Sequence, residues 1–331
     1  MVKYPLNIFC RSLKISHNLL FLHELPDAKD LITIVADEKN ILPIIVEKDY
    51  WVMHCLWGMQ QQGVSFDLKG GTSLSKGFGI IERFSEDIDV QIYPTEASNV
   101  KIGKNQDKPV HIESRRDFFS RIAAELKVPH LKFSRDYSFD DKAKMRGGGI
   151  RAEYESFFTS ISDLKEGIVL EVGFDQTVPN IPCDVSSWVY DKAFLLGLKI
   201  IDNRAKQVNC YEPEYTFVEK LQAISTKYRL QQENDTMPVN FLRHYYDIYK
   251  LLENKRVLEF IGSKEYLSHK QQRFRSNDEL DIRKNPAFTM PETHVRNLYS
   301  TEFKKKSALY FGNQMQFEEI LLRFSQYLHK L

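Results

Sequence analysis

Two short stretches of the sequence carry residue types that could bind a nucleotide. Residues 70–73, Gly-Gly-Thr-Ser, follow an alternating apolar segment and precede apolar residues at helical spacing, which predicts a strand, a turn and a helix. Glycines at such a junction let the backbone approach a ligand, and the free N–H groups at the start of a helix suit a phosphate. This stretch therefore favours the binding of a phosphorylated ligand.

The second stretch, residues 87–92, alternates strictly, so Asp87 and Asp89 share one face of a predicted strand. Mg²⁺ prefers oxygen ligands and is usually held by one or two carboxylates together with substrate phosphates. An Asp-x-Asp pattern by itself is more often a solvated strand edge. Beside the glycine turn, however, it favours metal-assisted chemistry on a nucleotide.

Together the two stretches resemble a known family. GGTSLSK at residues 70–76 and RFSEDID at residues 83–89 are similar to the signature of the AbiEii/AbiGii-type nucleotidyltransferase toxins, a branch of the polymerase-β-like nucleotidyltransferase superfamily. EKDYWV at residues 47–52, Lys220, and RHYYD at residues 243–247 fit the same family. The resemblance thus covers residues 40–250 and implies transfer of a nucleoside monophosphate from an NTP to an acceptor.

The resemblance also implies the fold class, which is α+β. We expect a polymerase-β-like nucleotidyltransferase domain with a mixed sheet, followed by an α-helical C-terminal half. Amphipathic patterns at residues 214–230 and 239–252 predict two long helices after the strand-like segments. We therefore predict a nucleotidyltransferase domain with N-terminal helices at residues 1–211 and an α-helical domain at residues 212–331.

The resemblance assigns roles to individual residues. Asp87 and Asp89 would hold the cation, Mg²⁺ or Mn²⁺, while Lys220 would contact the triphosphate and Asp247 would position that lysine. By pattern alone, Lys220 and Asp247 would be ordinary surface charges. The predicted catalytic residues are Asp87, Asp89, Glu171, Lys220 and Asp247, and the predicted nucleotide contacts are Gly70, Gly71, Thr72, Ser73, Lys76 and Lys48.

The sequence offers two candidates for a third acidic residue in the active site. Related enzymes carry an acid on a later strand, and Glu171 interrupts the apolar run at residues 168–174. Glu171 could complete the cation site, act as general base for the attacking hydroxyl, or be a salt-bridged edge residue. Asp175, just past the strand, is the competing choice.

Several other patterns bear on the architecture. Residues 42–62 are predicted to form a helix beside the glycine turn, in which Lys48 and Asp49 could be a solvated face. Residues 94–109 are predicted to form a loop, and Ser114 is the predicted N-cap of the following helix. The glycines at 147–149 are predicted to lie in a turn between strands.

Composition limits the class of protein. A chain of 331 residues with net charge +1 fits one large or two modest soluble domains. Its four cysteines include no C-x-x-C pair, which argues against a zinc ribbon and a disulfide framework. Charged and histidine residues interrupt the N-terminal apolar runs too soon for a secretory signal or a membrane span. We expect a cytoplasmic protein without a membrane partner.

Partners follow mainly from the resemblance, which implies an NTP substrate, a cognate antitoxin and an RNA acceptor such as the 3′ end of tRNA. Two basic stretches, residues 264–275 and residues 304–306 with Tyr310 and Phe311 beyond, could contact RNA or be solvated helix faces. Transfer to a protein side chain and a non-catalytic nucleotide- or RNA-binding module remain alternatives. A glycosyltransferase could also use Asp-x-Asp, but it would not need the glycine turn.

Overall fold

The computed structural model describes residues 19–159, 164–305 and 315–331. Five helices lie in the part of the N-terminal half that is described: α1 (Ala28–Lys39), α2 (Pro43–Gln61), the short α3 (Gly70–Thr72), α4 (Pro109–Glu125) and α5 (Trp188–Leu195). Asn40 ends α1 in the left-handed conformation at φ 52°, and Pro43 begins α2 at its first turn. The predicted helix at residues 42–62 is confirmed.

The same half of the chain also forms a mixed sheet of seven strands. Its strands are β1 (Phe66–Leu68), β2 (Asp87–Ile92), β3 (Lys132–Asp136), β4 (Gly147–Glu153), β5 (Ile168–Gly173), β6 (Asn180–Val185) and β7 (Ala205–Tyr211). Their order in the sheet is β3-β4-β5-β2-β1-β7-β6. β2 is parallel to β5 and antiparallel to β1, which places the Asp-x-Asp strand near the centre of the sheet.

Two predictions in this region are wrong for identifiable reasons. The glycines at 147–149 lie in β4 and not in a turn, because neighbours approach the strand closely: a Cβ at Gly148 would lie 2.7 Å from the Phe119 ring. Ser114 is not an N-cap. α4 begins earlier, with Pro109 in its first turn, and the Ser114 hydroxyl donates to the carbonyl of His111, 2.8 Å away.

The helix predicted after the glycine turn is shorter than its apolar spacing suggests. α3 runs into a π-helical turn, Ser73–Gly77, and Ile81 lies beyond it. The amide of Ile80 donates to the carbonyl of Leu74, 2.8 Å away, which closes the turn. The apolar side chains of Leu74 and Ile81 are nevertheless buried, so their spacing reflects burial and not a continuous helix.

The C-terminal half is helical where it is described. Its helices are α6 (Pro213–Asn234), α7 (Arg243–Leu251), α8 (Lys255–Phe260), α9 (Lys264–Arg273), α10 (Pro286–Thr289), α11 (Thr293–Lys305) and α12 (Phe317–Tyr327). These helices and the mixed sheet confirm the predicted α+β fold class. None of the described helices combines the length and apolar composition that a bilayer crossing requires.

The buried apolar side chains form two large clusters. One extends from Leu22 to Cys210 around the sheet, and the other contains residues from Phe217 to Leu331. Leu74 and Ile81, which flank the π-helical turn, pack into the second cluster. Because the turn belongs to both halves in this way, the domain boundary at residues 211 and 212 stays a prediction.

A buried group of histidines packs α2 against the chain that precedes α1. His23 Nδ1 lies 2.7 Å from the Tyr50 hydroxyl, and the two nitrogens of His54 lie 2.8 Å from Asn203 and 2.9 Å from the Pro129 carbonyl. Burial and the neighbouring imidazoles lower the pKa of His23 to about 3. Burial also lowers the pKa of His54 to about 4. Both imidazoles are therefore neutral in the folded protein at pH 6–7.

These shifts predict a loss of stability in mild acid. As the pH falls below 6.5, the unfolded chain binds protons at His23 and His54 that the folded protein does not bind, so the free energy of unfolding decreases. The contribution of His54 continues to about pH 4 and that of His23 to about pH 3. The expected slope is up to about 1.4 kcal/mol per pH unit for each group. Melting curves between pH 7.5 and 4.5 should show a shallower decline for His54→Gln. The exposed His294, changed to Gln, should leave the slope unaltered.

Candidate active site

The glycine turn is tied directly to the Asp-x-Asp strand. Gly70 adopts φ +66°, and a Cβ at this position would collide with Oδ2 of Asp89. A Cβ at Gly71 would lie 2.6 Å from the Ser85 hydroxyl. The Thr72 hydroxyl donates to the carbonyl of Asp87 at 2.5 Å. Glycine is therefore required here because β2 and its carboxylate approach the turn so closely.

The predicted effect of Gly70→Ala is a loss of both stability and site geometry. The left-handed backbone conformation costs a non-glycine residue about 1–2 kcal/mol, and the new methyl group would also displace the Asp89 carboxylate. Gly63 is a matched control, because it has φ +70° and no heavy atom lies within 4 Å of the point that a Cβ would occupy. Denaturant unfolding should show a larger loss for Gly70→Ala than for Gly63→Ala; equal losses would contradict the close packing against Asp89.

Three carboxylates come together on β2 and β5. Asp89 lies opposite Glu171 in the parallel register, and Asp87 lies two residues before it on the same strand. Burial raises the pKa of Asp89, and the negative charge of Asp87 raises it further. Burial, Asp89 and Asp87 together raise the pKa of Glu171 to about 7. The repulsion among these groups makes the cluster a favourable place for a cation.

The two carboxylate oxygens of Asp87 have different surroundings. Its Oδ1 lies 2.6 Å from the ammonium of Lys165. Its Oδ2 is buried and accepts no hydrogen bond from the part of the chain that the structure describes, although the Arg243 guanidinium lies 3.5 Å away. Among the described residues, no group of three or more His, Cys, Asp or Glu side chains is arranged to hold a metal ion. A cation at Asp87 and Asp89 would therefore depend on further ligands from a substrate.

The two candidates for the third acid differ in their surroundings. Asp175 is exposed and pairs with Lys69 at 3.1 Å and with Arg273 at 3.5 Å. Partial loss of hydration in the cleft opposes ionisation of Asp175, but the charges of Lys69 and Arg273 hold its pKa below the usual value. Glu171 instead faces Asp89 across the β2–β5 register. This arrangement favours Glu171 as the third acid.

Lys220 and Asp247 form a buried ion pair between α6 and α7. The Lys220 ammonium lies 3.0 Å from Oδ2 of Asp247, and Arg83 donates to both oxygens of the same carboxylate at 2.7 Å. Burial would raise the pKa of Asp247, but Arg83 and Lys220 lower it to about 2. Both members of the pair are buried, so the alternative that they are surface charges is wrong.

Lys76 does not pair with Asp87, Asp89 or Glu171 but has other partners. Its ammonium pairs with Asp49, donates to the Ser186 carbonyl at 3.1 Å and lies 4.8 Å from the Trp188 ring. Lys76, Asp49 and Trp188 line a separate cavity of about 470 Å³, which Thr72 also borders. The nucleotide contact of Lys76 stays a prediction.

Lys48 lies closer to the Asp-x-Asp strand. It is 3% exposed, donates to the carbonyl of Lys165 and lies 3.9 Å from Glu86. Burial lowers the pKa of Lys48, while the charges of Glu86 and Asp87 oppose that shift. Asp49 is also buried, so the alternative of a solvated face at Lys48 and Asp49 is wrong.

A large cleft opens beside Asp89 and Glu171. Its volume is about 1270 Å³, and it reaches from the sheet to α9. Six basic residues line it, Lys69, Lys104, Lys144, Arg146, Lys264 and Arg273, together with five acidic ones, Asp89, Asp107, Glu171, Asp175 and Glu265. The basic stretch at residues 264–275 thus contributes to the cleft, although Lys270 is buried 5.2 Å from the Tyr266 ring. Lys306, Tyr310 and Phe311 of the other basic stretch lie outside the described residues.

Sequence reasoning missed four cationic residues of the site. Arg83 and Arg243 stand inside the family-like strings, so their positions were a usable signal. Lys227 lies two helical turns after Lys220, which predicts the same face of α6; burial, Arg243 and Lys220 lower its pKa to about 8. Lys165 follows a polar turn and carried no signal in the sequence.

The mixed sheet, the glycine turn and the adjacent carboxylates define the class of protein as nucleotidyltransferase-like. A family model described as nucleotidyl transferase AbiEii toxin, type IV TA system, matches residues 56–323. The chain belongs to this family of toxins from type IV toxin–antitoxin systems. The match extends past residue 250, where the sequence alone showed no resemblance, and it begins after residues 47–52.

Similarity to solved structures and to curated proteins supports no further conclusion about the site. The chain is similar to the crystal structure of an antigenic nucleotidyltransferase-like protein from Paracoccidioides brasiliensis, with 13% identity and a TM-score of 0.33 over 68% of this chain and 87% of that one. A TM-score this low does not support conclusions about a shared site. No curated protein matches the sequence.

Proposed function

We propose that this protein is a metal-dependent nucleotidyltransferase that moves a nucleoside monophosphate from an NTP to an RNA acceptor, with the 3′ end of tRNA as the acceptor. The observation that supports this most strongly is the carboxylate cluster of Asp87, Asp89 and Glu171, of which Asp89 and Glu171 border a large cleft that six Lys and Arg residues also line. The toxin family implies a cognate antitoxin that restrains the activity in the cell. A cytoplasmic location agrees with such a substrate.

The residues present fit a divalent cation. Asp87 has a buried oxygen that accepts no hydrogen bond from the described residues, and the pKa of Asp89 is raised by burial and by the negative charge of Asp87. Asp87 and Asp89 would hold Mg²⁺ or Mn²⁺ together with phosphate oxygens of the NTP. When bound, such an ion neutralises the triphosphate and the charge that develops on the leaving group.

The remaining residues supply proton transfer and charge. The acceptor hydroxyl attacks the α-phosphorus, the bond from that phosphorus to the oxygen of the β-phosphate breaks, and pyrophosphate leaves. Glu171 accepts the hydroxyl proton, because it faces Asp89 across the β2–β5 register and borders the cleft that would hold the acceptor. Lys220, held by Asp247, offsets the negative charge that grows on the pyrophosphate.

The cleft supports an acceptor larger than a nucleotide. Its volume of about 1270 Å³ exceeds what one small ligand usually fills, and its six Lys and Arg residues suit a phosphate backbone. Tyr215, which is partly exposed, also borders it and could stack on an unpaired base. These features favour RNA over a protein side chain as the acceptor.

The experiment combines Mg²⁺, total cellular RNA and each α-labelled NTP in turn with the purified protein. We expect one NTP to label a small RNA that nuclease destroys and protease does not. Asp87→Asn should reduce labelling by about 10³-fold. Asp117→Asn, which changes an exposed aspartate on α4, should label normally. Label that protease removes would instead identify a protein acceptor, and NTP binding without any labelling would favour the non-catalytic module.

A further inference from the structure

The Asp87 carboxylate is engaged by a lysine from outside the family-like motifs. The ammonium of Lys165 lies 2.6 Å from Oδ1 of Asp87, where a metal ion would bind under the proposed function. Arg243 lies on the other side, 3.5 Å from Oδ2. One of the two carboxylates best suited to hold a cation is therefore already paired with a protein cation.

The backbone of Lys165 is fixed beside β2. Its amide donates to Oε1 of Glu86 at 2.9 Å, and its carbonyl accepts from Lys48. Glu86 and Lys48 are both buried, so these contacts hold the start of the Lys165 side chain within reach of Asp87. The pairing of Lys165 with Asp87 is therefore a consequence of the position at which Glu86 and Lys48 hold the Lys165 backbone.

The side chain of Lys165 can leave without disrupting the core. It is 24% exposed, whereas the side chain of Asp87 is 2% exposed. Its ammonium lies 4.5 Å from the Phe139 ring, which borders the large cleft. A lysine has a flexible four-carbon stem, so its ammonium can move into this cleft while its backbone stays in place.

A comparison with Asp247 argues against a purely structural role for the ion pair between Lys165 and Asp87. Asp247 is fully engaged, because Arg83 donates to both of its oxygens and Lys220 adds a third contact. Among the residues that the structure describes, Asp87 has one close cation, and its Oδ2 accepts no hydrogen bond. A buried carboxylate with a permanent structural role normally has its hydrogen bonds completed.

We propose that Lys165 is an exchangeable occupant of the cation position at Asp87. In the metal-free protein its ammonium neutralises Asp87, and a divalent cation must displace it before the site can bind an NTP productively. Lys165 is thus a gating residue that weakens binding of metal alone. This inference rests on the proposed function, because it requires a cation at Asp87.

The first test measures binding of Mn²⁺ alone by calorimetry, without nucleotide. Lys165→Met should bind Mn²⁺ on the order of tenfold more tightly than the unchanged protein, since both the competition and the charge repulsion are removed. Lys165→Arg retains the positive charge and should bind as weakly as the unchanged protein. Lys132→Met, at an exposed lysine on β3, is the matched control and should have no effect.

The second test needs no variant. Acylation of lysines by an amine-reactive ester, followed by mass spectrometry, should be several-fold faster at Lys165 when Mn²⁺ is present, because the displaced ammonium enters solvent. The rate at Lys132 should not change. An unchanged or slower acylation rate at Lys165 in the presence of Mn²⁺ would contradict the displacement of its ammonium by the metal ion.

The outcomes separate this inference from the proposed function. If Mn²⁺ binds, Asp87→Asn abolishes binding and Lys165→Met binds no more tightly than the unchanged protein, the gating role is wrong and the metal site stands. If neither the unchanged protein nor Lys165→Met binds Mn²⁺ alone but the unchanged protein still transfers nucleotide, the gating role is wrong and the proposed function stands. If the unchanged protein also transfers no nucleotide, both proposals fail. Circular dichroism of each variant confirms that a lost signal does not reflect unfolding.

Discussion

Asp89→Asn is expected to reduce nucleotide transfer by about 10³-fold and, at the same time, to stabilise the metal-free protein. Activity falls because the substitution removes one of two carboxylates that would hold the cation. Stability rises because burial and the charge of Asp87 already disfavour the ionised form of Asp89, as its raised pKa shows. Functional sites commonly carry such a stability cost.

The measurement pairs a transfer assay with thermal melting in a chelator at pH 7. We expect Asp89→Asn to melt about 1–2 °C above the unchanged protein. Asp117→Asn, on the exposed face of α4, should alter neither quantity. A variant that transfers nucleotide normally, or one that loses activity only because it melts earlier, would contradict this view of Asp89.

Asp247→Ala is expected to cost about 3–5 kcal/mol of unfolding free energy, the largest stability effect that we predict. Removing this carboxylate leaves the charges of Arg83 and Lys220 buried without their shared partner. Transfer should also fall, because Lys220 loses the group that positions it.

Asp202 provides the control for this change. It also pairs with an arginine and a lysine, Arg204 and Lys206, both at 2.7–2.8 Å, but it is exposed. Asp202→Ala should therefore cost about 1 kcal/mol or less in urea unfolding. If the two substitutions cost the same, burial of the Asp247 ion pairs does not have the energetic importance assigned to it.

The parts of the fold that the sequence predicted best are those with local signals. The strict alternation of β2 and the helical spacing of α2, α6 and α7 were sufficient because each pattern is contained within its own segment of the chain. β6 was missed, since Pro182 interrupts its pattern and only Val185 among its residues is buried. β7 was missed as well, and its place beside β1 depends on a long-range parallel pairing that local sequence does not reveal.

For the candidate site, motif residues were predictable and their partners were not. Asp87, Asp89 and the glycine turn stand together in sequence, so their proximity follows from a strand, a turn and a strand. The contact of Lys165 with Asp87 joins residues 78 positions apart, and that of Arg83 with Asp247 joins residues 164 apart. The first contact depends on the parallel pairing of β2 with β5, and the second on the packing of α7 against the segment that precedes β2. The sequence pattern gives a distance for neither.

The most direct test of nucleotidyl transfer compares NTPs labelled at the α- or the γ-phosphate in the presence of Mg²⁺ and RNA. We predict that the unchanged protein places the α-label, and not the γ-label, in the RNA product, and that Asp89→Asn places neither. Release of the γ-label as pyrophosphate should match the α-label incorporated. Transfer of the γ-label to the acceptor, or full activity in Asp89→Asn, would contradict the assignment of this carboxylate site to nucleotidyl transfer.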